Sequence, residues 1–103
     1  MLVERLTFQA KYGHGDALVT LFEEWIAGPG AMMGVTQGRI YTDATGPMFT
    51  IQIEAEFADI TAYAAYQSKS AEMYASADFG DWFGRMQAVT EKGERQLFNV
   101  KVV

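Results

Sequence analysis

Residues 48–57, MFTIQIEAEF, decide the fold because their polarity alternates at every step. A period of two places successive side chains on opposite faces of a β-strand. One face of this strand is predicted to cover a core, and the other, which carries Glu54 and Glu56, to point away from it. The apolar face comprises Phe49, Ile51, Ile53, Ala55 and Phe57.

Three further stretches complete a predicted sheet of four strands. Residues 43–47, DATGP, are typical of a hairpin loop. They join the strand over residues 48–57 to a partner strand over residues 35–42. Residues 2–11, near the start of the chain, alternate in the same way. The last strand is predicted over residues 94–103.

Two helical regions are predicted between these strands. The first begins with Asp16 as its N-terminal cap and ends at residues 28–30, GPG, because proline cannot continue a helix. The second begins at Asp59, and its apolar spacing restarts near Asp78, so it is either one long helix or two. Gly93 is predicted to end this region.

The resulting order, β-α-β-β-α-β, predicts a ferredoxin-like α+β fold. Right-handed crossovers then give a four-stranded antiparallel sheet with the helices on one face. Since 103 residues fit one domain of ordinary size, residues 1–103 are predicted to form a single domain. The strand residues expected to meet the helices are Phe8, Ile51, Ile53 and Phe98. Their expected helical partners are Leu21, Trp25, Trp82 and Phe83.

The other face of the sheet mixes aromatic, aliphatic, amide and charged side chains. In a monomer such a face is simply solvated. In the alternative, two copies stack these faces into a barrel, and the arginines pair with the glutamates within a chain or across the two-fold axis. The apolar side chains on this face favour the dimer, and so does the family resemblance described below. The predicted members of this face are Arg5, Thr7, Gln9, Arg39, Tyr41, Met48, Gln52, Glu54, Leu97 and Asn99.

Composition excludes several classes of function. The chain has no cysteine and a single histidine, which removes disulfides, thiolate chemistry and a histidine-rich metal site within one copy. Its net charge of −5 disfavours attraction to nucleic-acid phosphates. No stretch resembles a secretory signal or a membrane span of roughly 18 apolar residues. We therefore expect a cytoplasmic protein without nucleic-acid or membrane partners.

Two stretches carry a resemblance to a known family. Residues 3–8, VERLTF, lead into a glycine-containing turn and a helix, and an aromatic helix precedes residues 91–98, EKGERQLF. This layout resembles the NIPSNAP-like branch of the dimeric α/β-barrel superfamily, which also includes the antibiotic-biosynthesis monooxygenases. The resemblance implies a ferredoxin-like subunit and a face-to-face homodimer. It implies no single activity, because one fold hosts many functions.

The same resemblance bears on cofactors. Haem-binding members of the superfamily use a histidine of the C-terminal helical region as the iron ligand, whereas residues 58–92 contain no histidine. Cofactor-free quinol oxygenases commonly rely on histidine, asparagine and tryptophan in the cavity. In this sequence, residues of those types include His14, Asn99, Trp25 and Trp82. None of them aligns with a motif of the family. We predict neither a cofactor nor a metal ion.

Three side chains are candidates for proton transfer. His14 lies between two glycines before a predicted helix, and an imidazole titrates near neutral pH, although an exposed loop residue is the plainer interpretation. Glu54 shares a strand face with Glu56, and paired carboxylates can act as acid and base, although a salt-bridged surface is the plainer interpretation. Tyr41 and Arg39 could hold a carboxylate or phenol-like ligand, although an intersubunit pair is favoured.

The predicted ligand-binding residues come from the helices and from the sheet. The aromatic stripes of the helices are typical of a core, and they form an apolar wall if a cavity separates helices from sheet. The predicted ligand-binding residues are Trp25, Arg39, Gln52, Trp82 and Phe83.

The sequence leaves three functions open, and with them the question of whether the protein is an enzyme. The first is a dimeric protein that binds a small apolar or aromatic molecule. The second is a cofactor-free monooxygenase or isomerase that acts on an aromatic or polyketide-like substrate. The third is a dimerisation module without chemistry.

Overall fold

The protein contains one antiparallel sheet of four strands. The computed structural model describes the backbone of residues 1–103 and every side chain except those of Thr36 and Gln37. The strands are β1 (Leu2–Ala10), β2 (Thr36–Thr42), β3 (Thr50–Phe57) and β4 (Thr90–Asn99). They pair in the order β2-β3-β1-β4, so β1 and β3 form the centre of the sheet.

Three α-helices pack on one face of this sheet. They are α1 (Gly15–Trp25), α2 (Ile60–Tyr74) and α3 (Ala77–Val89). The predicted ferredoxin-like α+β fold is therefore confirmed, with a second crossover that consists of two helices rather than one. The face of the sheet that carries no helix is called the open face below. Its members include Arg5, Arg39, Tyr41, Gln52, Glu54, Glu56 and Phe98.

The start of α1 differs from the prediction. The chain turns at Gly13, whose φ of +82° is in the left-handed region that favours glycine. This turn places His14, rather than Asp16, at the N-terminal cap position. Asp16 lies in the first turn of the helix, where its negative charge suits the positive end of the helix dipole.

The predicted helix end at residues 28–30 is wrong. A π-helical segment, Ile26–Gly30, continues α1, and the Met33 amide donates to the Pro29 carbonyl. The wider π turn accommodates a proline because it relieves the crowding that the ring causes in a regular α-helix. Gly30 contributes as well, since a Cβ there would lie 2.7 Å from the ring of Trp25.

The second crossover consists of two helices, and each begins with a side-chain cap. The Asp59 carboxylate accepts a hydrogen bond from the Ala62 amide at 2.8 Å, as expected of a helix cap. The Ser76 hydroxyl accepts one from the Phe79 amide at 3.2 Å, which begins α3. The restart of the apolar pattern near residue 78 therefore marked a second helix.

The strand β4 begins at Thr90, earlier than predicted, and α3 enters it without a glycine turn. Gly93 lies inside the strand opposite Phe8, so the prediction that it ends a helix is wrong. A Cβ at this position would lie 2.7 Å from two carbons of the Phe8 ring. The missing side chain leaves the space that the phenylalanine ring fills.

Pairing with β1 decides which side chains of β4 face the helices. Leu97 lies opposite Glu4 and Asn99 opposite Leu2, so both belong to the helix side rather than to the open face as predicted. Phe98 belongs to the open face, where the Arg5 guanidinium lies 5.2 Å from its ring centroid, and not to the core. The error arose because both faces of this strand are mixed in polarity, so alternation alone does not orient it.

The strand β3 begins two residues later than predicted. Phe49 has a φ of +64°, which interrupts the extended backbone, and Met48 therefore lies in the loop rather than on the open face. The Phe49 ring still packs on the core and meets the Tyr12 ring edge-on at 5.0 Å. The hairpin between β2 and β3 is longer than the sequence indicated.

The buried side chains fall into two clusters between the sheet and the helices. One lies under α1 and consists of Ala10, Leu18, Leu21, Phe22, Ile51, Ile53 and Met86. The other lies under α2 and consists of Leu2, Met33, Phe57, Tyr63 and Tyr66. The helix layer therefore rests on the sheet at two places, and a space remains between them.

Because Gly93 accommodates the Phe8 ring, a methyl group at position 93 should destabilise the fold. We expect Gly93→Ala to lower the free energy of unfolding by about 1–3 kcal/mol, the usual cost of overpacking. The matched control is Gly80→Ala in α3, where a Cβ meets nothing within 4 Å and alanine should be neutral or stabilising. Urea unfolding of both variants measures the difference, and equal stabilities would contradict this account of Gly93.

Candidate functional site

A cleft with a volume of about 710 Å³ lies between the helix layer and strands β1 and β4. Its walls include members of both core clusters, so it occupies the gap between them. Eight aromatic side chains line it, namely Phe8, Phe22, Trp25, Tyr66, Tyr74, Phe79, Trp82 and Phe83. Its polar and charged lining residues include Glu4, Gln67, Ser70, Glu94 and Arg95.

The attachment of α3 to α1 keeps this cleft open. The Trp82 indole N–H donates to the Leu21 carbonyl oxygen at 2.9 Å, and the Trp82 ring packs edge-on against Phe22. On the outer surface, the Arg85 guanidinium lies 3.2 Å from the Glu24 carboxylate. Because α3 is held against α1, it leaves the inner side of β4 uncovered, and residues 91–99 are all exposed.

Glu4 supplies a buried carboxylate at the floor of the cleft. Its side chain is only 6% exposed. Its Oε2 accepts a hydrogen bond from the Tyr63 hydroxyl at 2.6 Å, and the Gln67 amide donates to the same hydroxyl at 2.9 Å. The Arg95 Nε lies 3.8 Å from Oε2. The hydrogen bonds from Gln67 to Tyr63 and from Tyr63 to Glu4 therefore hold the carboxylate in place.

The tyrosines around Glu4 stay protonated over a wide pH range. Burial, and after it the hydrogen bond to Glu4, raises the pKa of Tyr63 to about 12. Burial and the charge of Glu4 also raise the pKa of Tyr66. The Tyr63 hydroxyl is consequently a donor to Glu4 at neutral pH.

Glu4 was not among the predicted site residues, although the sequence carries a signal for it. Alternation places position 4 on the same face of β1 as Leu6 and Phe8, so a charged residue occupies a side that faces the core. A buried charge needs a partner, and its occurrence on an apolar face indicates either an ion pair or a functional site. The partner, Tyr63, is 59 residues away in the chain, and alternation carries no information about it.

The open face carries a second group of polar side chains around Glu54. The Arg5 Nε donates to its Oε2 at 2.7 Å, and the Tyr41 hydroxyl donates to its Oε1 at 2.8 Å. A shallow depression of about 400 Å³ beside this group is lined by Arg39 and Glu56 among others. These contacts agree with the plainer interpretation of Glu54 given above, that of a salt-bridged sheet surface.

The structure divides the predicted site residues between the two faces of the sheet. The cleft contains Trp25, Trp82 and Phe83. The open face contains Arg39, Tyr41, Gln52 and Glu54. His14 is exposed in the turn between β1 and α1. The candidate proton-transfer residues therefore lie outside the cleft, and the predicted ligand-binding set does not form one pocket.

Neither a metal site nor a membrane span emerges from the described residues. Within them, no three His, Asp or Glu side chains come close enough together to hold a metal ion. None of the helices in the described part of the chain has both the length and the apolar character needed to cross a membrane.

Comparison with known proteins identifies the fold. No family model matches the sequence, and no curated protein is similar to it. An uncharacterised NIPSNAP domain protein from Burkholderia xenovorans has a similar structure, with a TM-score of 0.76, 19% identity and coverage of 98% of this chain and 95% of that one. A NIPSNAP family protein from Agrobacterium tumefaciens has a TM-score of 0.78, 15% identity and coverage of 97% and 92%.

A second group of similar structures includes oxygenases. SnoaB, a cofactor-independent oxygenase from Streptomyces nogalater, has a TM-score of 0.69, 14% identity and coverage of 99% of this chain and 94% of that one. A structure described as an antibiotic biosynthesis monooxygenase has a TM-score of 0.68, 15% identity and coverage of 99% of this chain and 100% of that one. The chain thus has the fold seen in these NIPSNAP and monooxygenase structures, and the predicted resemblance is confirmed at the level of fold. At these identities the similarity identifies an architecture and not an activity.

The contacts of Glu54 predict a pH-dependent contribution to stability. Burial alone would raise the pKa of Glu54, but the hydrogen bonds from Arg5 and Tyr41 lower it below its ordinary value of 4.5. A lowered folded-state pKa means that the carboxylate stabilises the fold above pH 4.5 and that this contribution is lost as the pH falls through the folded-state value.

We therefore expect Glu54→Gln to lower the free energy of unfolding by about 1.5 kcal/mol at neutral pH, the lower end of the usual contribution of a hydrogen bond to a charged group, because Arg5 is partly exposed. The difference from the unaltered chain should vanish well below pH 4.5, where both side chains are neutral. Glu56→Gln on the same strand face is the control and should change stability less at either pH. Urea titrations at both pH values provide the measurement, and a pH-independent effect of Glu54→Gln would contradict the prediction.

Proposed function

We propose that this protein binds a small uncharged molecule, apolar or aromatic in character, in the cleft between its helices and its sheet. The observation that carries the proposal is the enrichment of aromatic side chains around a volume of about 710 Å³. Small-molecule sites are typically concave, about 300–1,000 Å³ in volume and mainly apolar, with a few placed polar groups. The cleft has each of these properties.

The packing of the cleft also supports binding rather than simple core formation. A core cavity is normally filled, because interiors pack as densely as organic crystals. Here Phe79 and Phe83 stack at 5.5 Å between ring centroids, and Phe83 remains 38% exposed at the rim. Large apolar side chains that are left accessible around a concavity are typical of a surface that a ligand covers.

The open face supports the second part of the proposal, a homodimer. The sheet bears helices on one side only, and the molecule is 19 Å across in its shortest dimension. Phe98 and Tyr41 are 39% and 41% exposed on the bare side, among arginine and glutamate side chains. A surface that contains both signs of charge can pair with a second copy of itself about a two-fold axis, which supports the proposed homodimer.

Turnover of the bound molecule is the second candidate function. The observation that favours it is the similar fold of SnoaB, which is described as a cofactor-independent oxygenase. The residues first considered for proton transfer, His14, Tyr41 and Glu54, lie outside the cleft. An oxygen electrode, used with a hydroquinone that the cleft binds, separates binding from oxygenation.

The binding proposal predicts that a bulky residue placed in the cleft lowers ligand affinity. Ala71 lines the cleft from α2, whereas Ala65 on the same helix is exposed and does not line it. Titration with Nile red, an uncharged apolar dye, should give saturable fluorescence in the unaltered chain. We expect Ala71→Phe to weaken this binding about tenfold, a loss of 1.4 kcal/mol, by removing accessible apolar volume.

The control for this experiment is Ala65→Phe, which adds the same ring elsewhere on α2 and should leave the affinity unchanged. Thermal melts of both variants establish that they are folded. If Nile red does not bind the unaltered chain, or if the two variants weaken it equally, the cleft is not the binding site.

The dimer proposal predicts that loss of the open-face aromatic ring separates the subunits. Phe98→Ser should convert a dimer at micromolar concentration into a monomer, because it removes an apolar side chain from the proposed interface. Leu97→Ser is the matched control, since the neighbouring side chain is similarly exposed but belongs to the helix side. Sedimentation velocity gives the masses, and a monomer for the unaltered chain would contradict the proposal.

A further inference from the structure

The floor of the cleft carries a carboxylate oxygen with no assigned partner. Oε2 of Glu4 accepts the Tyr63 hydroxyl, but within the described residues Oε1 has no hydrogen-bond partner. In the same part of the chain, no side-chain oxygen or nitrogen that is fully sealed from solvent lacks a partner. Since Glu4 lines the cleft and its side chain is 94% buried, Oε1 is reached from the cleft.

The surroundings of Glu4 show that this carboxylate is held in position rather than mobile. The Tyr63 hydroxyl fixes one oxygen at 2.6 Å, and the Gln67 amide fixes that hydroxyl from the next turn of α2. Phe57 and Tyr66 pack on the Tyr63 ring and leave it little freedom. The second oxygen of the carboxylate is therefore presented to the cleft in a defined direction.

We propose that Glu4 determines the specificity of the cleft by accepting a hydrogen bond from a hydroxyl group at the inner end of an otherwise apolar ligand. This inference rests on the proposed function and names the chemical group that the cleft recognises. A hydrogen bond from a hydroxyl to a carboxylate satisfies Oε1, whereas an apolar ligand without a donor would cover that oxygen and leave it unpaired.

The charges near Glu4 favour an uncharged donor over an ion. A ligand carboxylate at the inner end would lie beside the Glu4 carboxylate and be repelled in a poorly solvated site. A ligand cation would have to lose its own solvation and would meet the Arg95 guanidinium, which is already 3.8 Å from Glu4. A neutral hydroxyl avoids both costs and still gains a charge-assisted hydrogen bond.

Three ligands of similar size test the inference by calorimetry with the full chain. They are β-naphthol, its methyl ether and β-naphthoate, which present a donor, an acceptor and an anion on the same ring system. We expect β-naphthol to bind about 10- to 100-fold more tightly than the ether, the range expected for one hydrogen bond to a charged group. β-Naphthoate should bind more weakly than β-naphthol by at least the same factor.

Substitution of Glu4 should remove this preference. In Glu4→Gln the amide can point its NH₂ group at the ligand, so the advantage of β-naphthol over the ether should fall to less than about threefold. Glu56→Gln is the matched control, because pairing opposite Val3 places that side chain on the open face, outside the cleft, and it should preserve the preference. Circular dichroism establishes that the variants are folded.

The outcomes separate this inference from the proposed function. If the unaltered chain binds all three ligands with similar affinity, the cleft is a binding site and the role of Glu4 is wrong. If Glu4→Gln is folded and retains the full preference for β-naphthol, the role of Glu4 is likewise wrong. If none of the three ligands binds, the binding function fails and this inference fails with it. The comparison among ligands on the unaltered chain decides the matter even if Glu4→Gln does not fold.

Discussion

The cleft depends on the way α3 is attached to the rest of the molecule. The Trp82 indole donates to the last turns of α1 at the Leu21 carbonyl, and its ring packs on Phe22, so α3 rests on a neighbouring helix instead of on β4. A buried indole N–H needs an acceptor, and here the acceptor is a backbone carbonyl on another helix. The consequence is a helix layer that leaves the inner side of an edge strand bare. The aromatic residues that a sequence pattern assigns to a core thereby become the wall of an accessible concavity.

The central strand β1 connects this cleft with the opposite surface of the sheet. Its even-numbered positions bring Glu4, Leu6 and Phe8 to the helix side, and its odd-numbered positions bring Arg5 to the open face. Two adjacent residues of opposite charge are thus separated by the thickness of the sheet. Each finds its partner on a different element, Glu4 on α2 and Arg5 on β3. The helix side gains a fixed acceptor in an apolar environment, and the open face gains a compensated ion pair.

Most of the fold could be predicted from the sequence, and the site only in part. Alternation located β1 and β3, and the apolar spacing that restarts near residue 78 located the second helix of the crossover. Trp25 and Trp82 line the cleft, and the sequence indicated this position because their apolar stripes lie on helices that must face the sheet. Arg39 and Gln52 were grouped with them although they lie across the sheet, and Glu4 was overlooked. Grouping residues into one pocket requires the strand register, which local polarity does not supply.

The sequence by itself determined the elements, their order and the absence of cysteine chemistry, because periodicity, turn residues and composition are local properties of the chain. The tertiary structure alone decided that Gly93 accommodates Phe8, that Phe98 rather than Leu97 belongs to the open face, and that Tyr63 holds Glu4. These are contacts between segments far apart in sequence, and each follows from pairing and packing in three dimensions. Side chains acquire their partners only when the sheet sets its register and the helices dock upon it.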